Sequence, residues 1–270
     1  MSEVKNKEQQ INTDELRQQY EDGLVSIITP AYNAAAYIEE TIESVLAQTY
    51  TNWEMLIVND CSKDNTAEIV ESYAKKDKRI KLINLKQNSG AAAARNKAIQ
   101  NAKGRYIAFL DSDDLWKKEK LQKQIEFMQK NGYAFTFHNF IMFNVGMKKE
   151  NGKLIKVARQ TNYKTLLKGN NTGCLAVCID RSIVKNVSMP NQRHEDYICW
   201  LNILKEYKIN GYGINEVLGY YRVGKVSVSS NKFKSAIWTW KVYRKSQRFS
   251  ILKSMYYMCF YVVNGLKKHS

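Results

Sequence analysis

The sequence predicts an α/β fold: a mostly parallel sheet with helices on both faces. Three observations lead there. Short apolar runs alternate with helically spaced segments from Leu24 to Leu110. The runs are almost continuously apolar, as strands covered on both faces must be. Polar clusters follow three of the four runs, and ligands of such sheets bind at the carboxyl ends of the strands.

The elements follow in order. Leu24 to Ile28 is a buried strand stopped by Thr29-Pro30. Ile38, Thr41, Ile42, Val45 and Leu46 share one face of a helix. Met55 to Val58 is a second strand, followed by the polar run Asn59 to Asp64. Ile69, Val70 and Tyr73 mark a second helix, and Ile80 to Leu85 a third strand. Asn88-Ser89-Gly90 leads into an alanine-rich helix over Ala91 to Ala102. Tyr106 to Leu110 is a fourth strand, ending in Asp111-Ser112-Asp113-Asp114. Beyond Leu115 the pattern weakens. Lys117 to Lys130 reads as an exposed helix, Tyr133 to Phe137 as a strand, and Glu195 to Lys205 as a helix burying Trp200, Leu201 and Leu204. From Lys225 on there are ten Lys/Arg and no Asp or Glu, and Ile251, Met255, Cys259 and Val262 share one helical stripe.

Composition narrows the class. The chain has 270 residues, 44% of them apolar, enough for a sizeable core. Its 42 Lys+Arg against 26 Asp+Glu give a formal charge of +16, which favours acidic partners: nucleotide phosphates, anionic lipid or nucleic acid. Five cysteines show no metal-ligand cadence, and the Cys174/Cys178 pair lacks a second pair, so reduced thiols are expected. Residues 1–22 hold no apolar core for a signal peptide. The longest apolar run, Met255 to Val263, has nine residues, about half of a bilayer crossing. The expectation is a cytoplasmic protein without a membrane span.

The sharpest chemical feature is the acidic cluster after the fourth strand. Three carboxylates in four residues repel one another, and a divalent cation relieves that repulsion. Hard oxygen ligands suit magnesium or manganese, which share their coordination sphere with substrate phosphates. A plainer reading has Asp113 and Asp114 capping the next helix. Tyr32, just past the first strand, can stack on a nucleobase or simply pack. Asp60 can accept from a base or a ribose, or bond its own turn. Arg95 can reach a diphosphate or pair with one of the acids.

Taken together, these residues resemble glycosyltransferase family 2, inverting nucleotide-sugar enzymes of GT-A fold. The matching text is Val25 to Asn33, Ser44 to Tyr50, Glu54 to Asp64, Asn88-Ser89-Gly90 with Ala94-Arg95-Asn96, and Gly104 to Asp114. The match is dense over about residues 24–116 and looser to about 222. Its wording is most similar to enzymes of bacterial surface polysaccharides, of capsule or teichuronic-acid type. One departure is Asn59, where the family often has a second aspartate.

The resemblance implies the following roles. Thr29, Pro30, Tyr32 and Asp60 hold a uridine, with Asn88 and Gly90 beside them. Arg95 lies near the ribose or diphosphate. Asp111, Ser112 and Asp113 form the DxD motif, in which Asp113 ligates a manganese or magnesium ion and Asp111 holds the ribose or a metal-bound water. His194-Glu195-Asp196 resembles the family's Glu-Asp motif, so Asp196 is the expected base, with Glu195 as its alternate or as an acceptor-hydroxyl ligand. The plain alternative for that pair is an acidic helix start complementing the dipole. The donor is then a UDP-sugar and the acceptor a glycan or lipid-linked glycan. Residues 1–22 are a polar extension, and 23–224 the catalytic domain, divided into a nucleotide-binding half (23–116) and an acceptor half (117–224). Residues 225–270 form a basic aromatic tail that either packs on the domain or lies on an anionic membrane, which makes the enzyme peripheral. Nucleic acid is not expected. The competing classes are a haloacid-dehalogenase-like phosphatase, whose nucleophile loop Asp-Ser-Asp-Asp superficially fits, and a non-enzymatic basic module binding membrane or nucleic acid.

Overall fold

A computed structural model describes residues 20–170, 172–224 and 232–267. Most of the expected N-terminal extension, residues 1–19, lies outside them, as do the first residues of the tail, 225–231.

Four parallel strands form the first half: β1 (Glu21–Ala31), β2 (Trp53–Asn59), β3 (Ile80–Asn84) and β4 (Gly104–Phe109). Their order is β3-β2-β1-β4. The chain steps outward from β1 to β3 and then returns to the other side of β1. That reversal opens a crevice at the carboxyl ends of β1 and β4. The sheet continues through β9 (Cys178–Asp180), β6 (Phe135–Asn144), β10 (Gly211–Val223) and β5 (Leu115–Trp116). β6 and β10 are parallel, whereas β9 is antiparallel to both β4 and β6 and β5 is antiparallel to β10. The sheet is therefore mostly parallel, with its antiparallel pairs in the second half. Two short strands, β7 (Lys153–Ile155) and β8 (Gln160–Thr161), pair antiparallel with β6 and β10.

Helices cover both faces. Along β2, Met55 and Ile57 join the core shared with α1 (Ile38–Leu46), α2 (Thr66–Lys76) and α4 (Lys120–Asn131). Leu56 and Val58 join the opposite core, with α3 (Ala91–Asn101), α5 (Tyr163–Leu167) and α6 (Glu195–Glu206). This alternation is the two-residue period of a strand buried on both sides.

Two expectations need correction. Thr29-Pro30 does not stop β1: Pro30 pairs with Val58 and the strand runs on to Ala31. The proline is tolerated because β4 accompanies β1 only as far as Ile28, so beyond it β1 has one neighbour fewer. The helix after Leu115 is not exposed. Leu121, Ile125 and Met128, spaced four and three apart, seat α4 on the sheet, and Lys120 and Gln124 are buried with them. The described part of the tail, α7 (Lys232–Lys241), a π-helical turn (Val242–Ser246) and α8 (Ile251–Lys267), packs on the domain, one of its two anticipated placements. Tyr243, Phe249 and Tyr257 lie in the same core as Phe109 and Trp200, and the Tyr243 hydroxyl donates to the Leu167 carbonyl at 2.7 Å.

Gly104 shows why the motif before β4 needs a glycine. A Cβ there would lie 2.5 Å from the Leu24 carbonyl oxygen.

Candidate active site

The acidic turn sits where β4 leaves the sheet. Leu110 donates its N–H to the Ile28 carbonyl at 3.1 Å, and the Asp114 N–H closes on Asp111 O at 3.1 Å. Distant residues clamp this turn. The Thr41 hydroxyl on α1 lies 3.0 Å from the carbonyl oxygens of both Ser112 and Asp114. Arg222 on β10 donates its backbone N–H to Asp114 Oδ1 (2.8 Å), its Nε to the Asp113 carbonyl (2.8 Å) and a terminal nitrogen to Glu40 (2.7 Å). Asp114 is thus a buried structural acid. Burial, then Asp113 and Asp111, hold its carboxyl well above the usual range. Asp111, Ser112 and Asp113 stay half-buried. Burial, then the Asp111 carboxylate, pushes Asp113 up to about 6.

Across the crevice, α3 carries Arg95 with only 7% of its side chain exposed. One terminal nitrogen lies 2.6 Å from Asp111 Oδ1, the other 2.9 Å from Glu195 Oε1, a residue one hundred positions away. Arg95 thus pairs with two of the site's acids. Burial works against its charge, yet Asp111 and Glu195 hold its pKa above the ordinary guanidinium value. Ala92, Ala94 and Ala98 are buried on this helix, and their small side chains let it lie close to the sheet.

Glu195 and Asp196 form the first turn of α6, entered through His194 in left-handed conformation (φ 62°). Glu195 is committed to Arg95, whereas Asp196 Oδ1 accepts only the Tyr197 N–H, at 2.7 Å, among the described contacts. Burial, then Glu195, raises the Asp196 pKa. A carboxylate with raised proton affinity beside an ion-paired one is chemically able to take up a proton near neutral pH.

The nucleoside side lies beyond β1 and β2. Tyr32 is 50% exposed, so a ring face is open to stacking. Asn33 holds the adjoining loop, accepting the Lys63 N–H (2.8 Å) and donating its own N–H to Ser62 Oγ (3.0 Å). Asp60 is buried. Its two oxygens accept the N–H groups of Ser89 (2.7 Å) and Gly90 (2.8 Å), and Asn88 donates to its carbonyl at 3.2 Å. Gly90 then enters α3 at φ 86°, a value that favours glycine. Asp60 thereby joins the end of β2 to the helix bearing Arg95. Asn59 donates to Asn84 Oδ1 at 2.9 Å, a bond that an aspartate there could not make. Thr29 and Pro30 are buried within β1. Thr29 lies on the face shared with Ile27 and Ala31, so the protein interior, not the crevice, receives its side chain.

Among the described residues no three His, Cys, Asp or Glu side chains make a self-sufficient metal centre. Asp111 and Asp113 nevertheless fit a magnesium or manganese ion, which takes one or two carboxylates and fills its shell with water and phosphate oxygens. Asp113 is raised first by burial and then by Asp111, and a bound cation would favour its charged form.

Sequence reading missed Thr41, Glu40, Arg222 and Tyr221. Burial, then Asp114, Asp111, Asp113 and Asp196, raises the Tyr221 pKa, which places its hydroxyl among the site's carboxylates. The available signal was the Tyr220-Tyr221-Arg222 run at the end of a long strand, where an arginine interrupts apolar text. His138 is fully buried in β6.

Comparison with known proteins agrees with this geometry. The sequence model described as glycosyl transferase family 2 matches residues 26–187. A Bacillus subtilis glycosyltransferase named for teichuronic acid biosynthesis, TuaG, is 47% identical, covering 91% of this chain and 97% of that protein. The Escherichia coli UDP-Glc:alpha-D-GlcNAc-diphosphoundecaprenol beta-1,3-glucosyltransferase WfgD is 42% identical, covering 93% and 96%. Among solved structures, Staphylococcus aureus TarS in complex with UDP-GlcNAc superposes with TM-score 0.64 at 21% identity, over 86% of this chain and 69% of that one. The mannosyltransferase PcManGT of Pyrobaculum calidifontis, solved with GDP-Man and Mn²⁺, gives 0.65 at 18% identity, over 87% and 69%. These two show a shared GT-A fold. The family match sets aside the phosphatase and non-enzymatic readings: with a matched stretch reaching from β1 past β9, the chain belongs to glycosyltransferase family 2 and is a glycosyltransferase.

Proposed function

We propose that the enzyme moves a sugar from a UDP-sugar to a hydroxyl of a lipid-linked glycan, with inversion, using a divalent metal ion. The observation that carries this reading is the Arg95 tie, which draws Asp111 of the acidic turn and Glu195 of the acceptor side onto one guanidinium. It sets donor-binding and acceptor-activating groups on either side of one crevice. Support for the donor and acceptor classes comes from the UDP-GlcNAc named with TarS and the diphosphoundecaprenol acceptor named for WfgD.

In this reading Tyr32 stacks on the base, and the loop Asn88 to Gly90, shaped by Asp60, borders the nucleoside. Thr29 and Pro30 contribute backbone only, since their side chains belong to the sheet. Asp113, with Asp111 and Ser112, faces the diphosphate. A bound magnesium or manganese ion would neutralise charge on the departing diphosphate. Asp196 takes the proton of the acceptor hydroxyl while that oxygen forms its bond to the anomeric carbon. The bond to the diphosphate oxygen breaks, and UDP leaves with the electron pair. Glu195, held by Arg95, orients the acceptor, and its charge together with burial raises the proton affinity of Asp196, which favours uptake of the hydroxyl proton. The enzyme works as a peripheral protein at the cytoplasmic membrane face, where lipid-linked acceptors are presented. Among the described residues no helix is long and apolar enough to cross a membrane.

Asp196→Asn separates binding from chemistry. It should bind UDP with manganese as the parent does, while transfer falls by roughly 10²–10⁴, the usual contribution of a general base. Calorimetry with UDP and a transfer assay measure the two. Full activity in Asp196→Asn with a dead Glu195→Gln would reverse the two roles.

A further inference from the structure

The outer face of α8 is unexplained by the transfer site. Ile251, Leu252, Met255, Tyr256, Val262 and Val263 are each about half exposed or more, Leu252 reaching 80%. At 100° per residue these positions fall within an arc of about 140° that contains no charged residue. The opposite face is fastened to the domain. Ser254 and Tyr257 are buried there, and the rings of Phe249 and Tyr257 stack at 5.6 Å. α8 is thus held rigidly with an apolar stripe turned outward. The tail that bears this stripe is basic: Lys241, Lys245, Arg248 and Lys253 are exposed, and the sequence from residue 225 holds ten Lys/Arg and no acid.

We propose that this face docks onto an anionic lipid bilayer, with its apolar side chains among the acyl chains and the tail's basic side chains at the headgroups. The inference rests on the lipid-linked acceptor of the preceding reading for its purpose, but not for its observations. A bilayer satisfies both halves of the surface at once. A second copy of this chain does not, because a symmetric contact through α8 would bring two all-basic tails together. Nucleic acid would leave the apolar arc unmatched.

The tail also lies close to the acceptor side of the site. On α7, the Trp238 ring meets His194 edge-on at 5.7 Å between centroids, and Arg193 lies over the same ring at 5.5 Å. The Ser235 and Tyr261 hydroxyls, 3.0 Å apart, tie α7 to α8. α8 is therefore two contacts away from the turn carrying Glu195 and Asp196.

The test is flotation of the full chain with vesicles of phosphatidylcholine alone or of phosphatidylcholine with phosphatidylglycerol, without donor, metal or acceptor. The expected result is binding to the anionic vesicles that weakens with salt. Leu252→Glu with Met255→Glu should weaken it by ~10-fold or more, at unchanged melting temperature and unchanged UDP binding, since both side chains are exposed. Absence of vesicle binding by the parent, or equal binding by the double variant, overturns the proposal. So does a dimer in sedimentation that the double variant dissolves while vesicles remain unbound. Because donor and acceptor are omitted, failure here leaves the transferase reading standing, and loss of transfer with vesicle binding intact strikes only that reading.

Discussion

Asp113 illustrates a conflict between function and stability within one residue. Its carboxyl is driven from an ordinary value of 3.8 to about 6 by burial and by Asp111. A raised folded-state pKa means that the folded chain holds this proton more tightly than the unfolded chain. Stability therefore falls as pH climbs from about 4 to about 6, and the cost persists at neutral pH. Asp113→Asn removes the charge and should stabilise the protein at pH 7 by ~1–3 kcal/mol. The same change should abolish transfer and metal-dependent UDP binding. Thermal melts across pH 4–8 check the first part, because the variant should lose the share of the decline between pH 4 and 6 that Asp113 contributes. The residue identities at this turn were readable in sequence, as was Asp196. That Asp114 is a structural acid held by Arg222, and that Glu195 is tied to Arg95, was not. Those partners lie 108 and 100 positions away, and no local pattern encodes them.

At the scale of elements, α4 is the clearest misreading and also the source of a prediction. Its text is rich in lysine and glutamine and reads as exposed, but three apolar residues at helical spacing seat it on the sheet. Lys120 is carried inside with them. Its Nζ has no hydrogen-bond partner among the described residues and lies 3.7 Å from the centre of the Trp116 ring. The ring face offsets part of the cost of burying a charge. Burial lowers the lysine pKa to about 7. Between that value and the ~10.4 of an unfolded lysine, only the unfolded chain keeps the proton, so stability rises with pH across this window. Lys120→Met should stabilise the protein at pH 7 by ~2 kcal/mol or more and flatten its stability between pH 7 and 10. Urea unfolding at several pH values measures both. By contrast, α1 and α3 were legible because each shows one clear pattern, a buried stripe in one and small alanines behind Gly90 in the other.

For the molecule as a whole, the order β3-β2-β1-β4 decides where the chemistry can be. The polar ends of β1, β2 and β4 meet only because the chain reverses around β1. The tail belongs to this whole: Val242, Tyr243, Phe249 and Tyr257 share a core with α6 and β4. A chain ending at residue 224 should therefore lose stability, with its melting temperature lowered by ~5 °C or more, because several large apolar side chains would lose their cover. A truncated chain melting like the parent would show the tail to be a mere appendage. This also explains why the exposed stripe of α8 is best probed by point changes and not by deletion.

The sequence by itself determined the α/β alternation, the family and the acidic residues of the site, because these depend on local periodicity and on short motifs whose chemistry is carried by residue type. Tertiary structure alone decided which acids are structural, which one Arg95 neutralises, and which face of α8 looks outward. Each of those follows from contacts between residues far apart in the chain, and burial and charge pairing exist only once the sheet has brought them together.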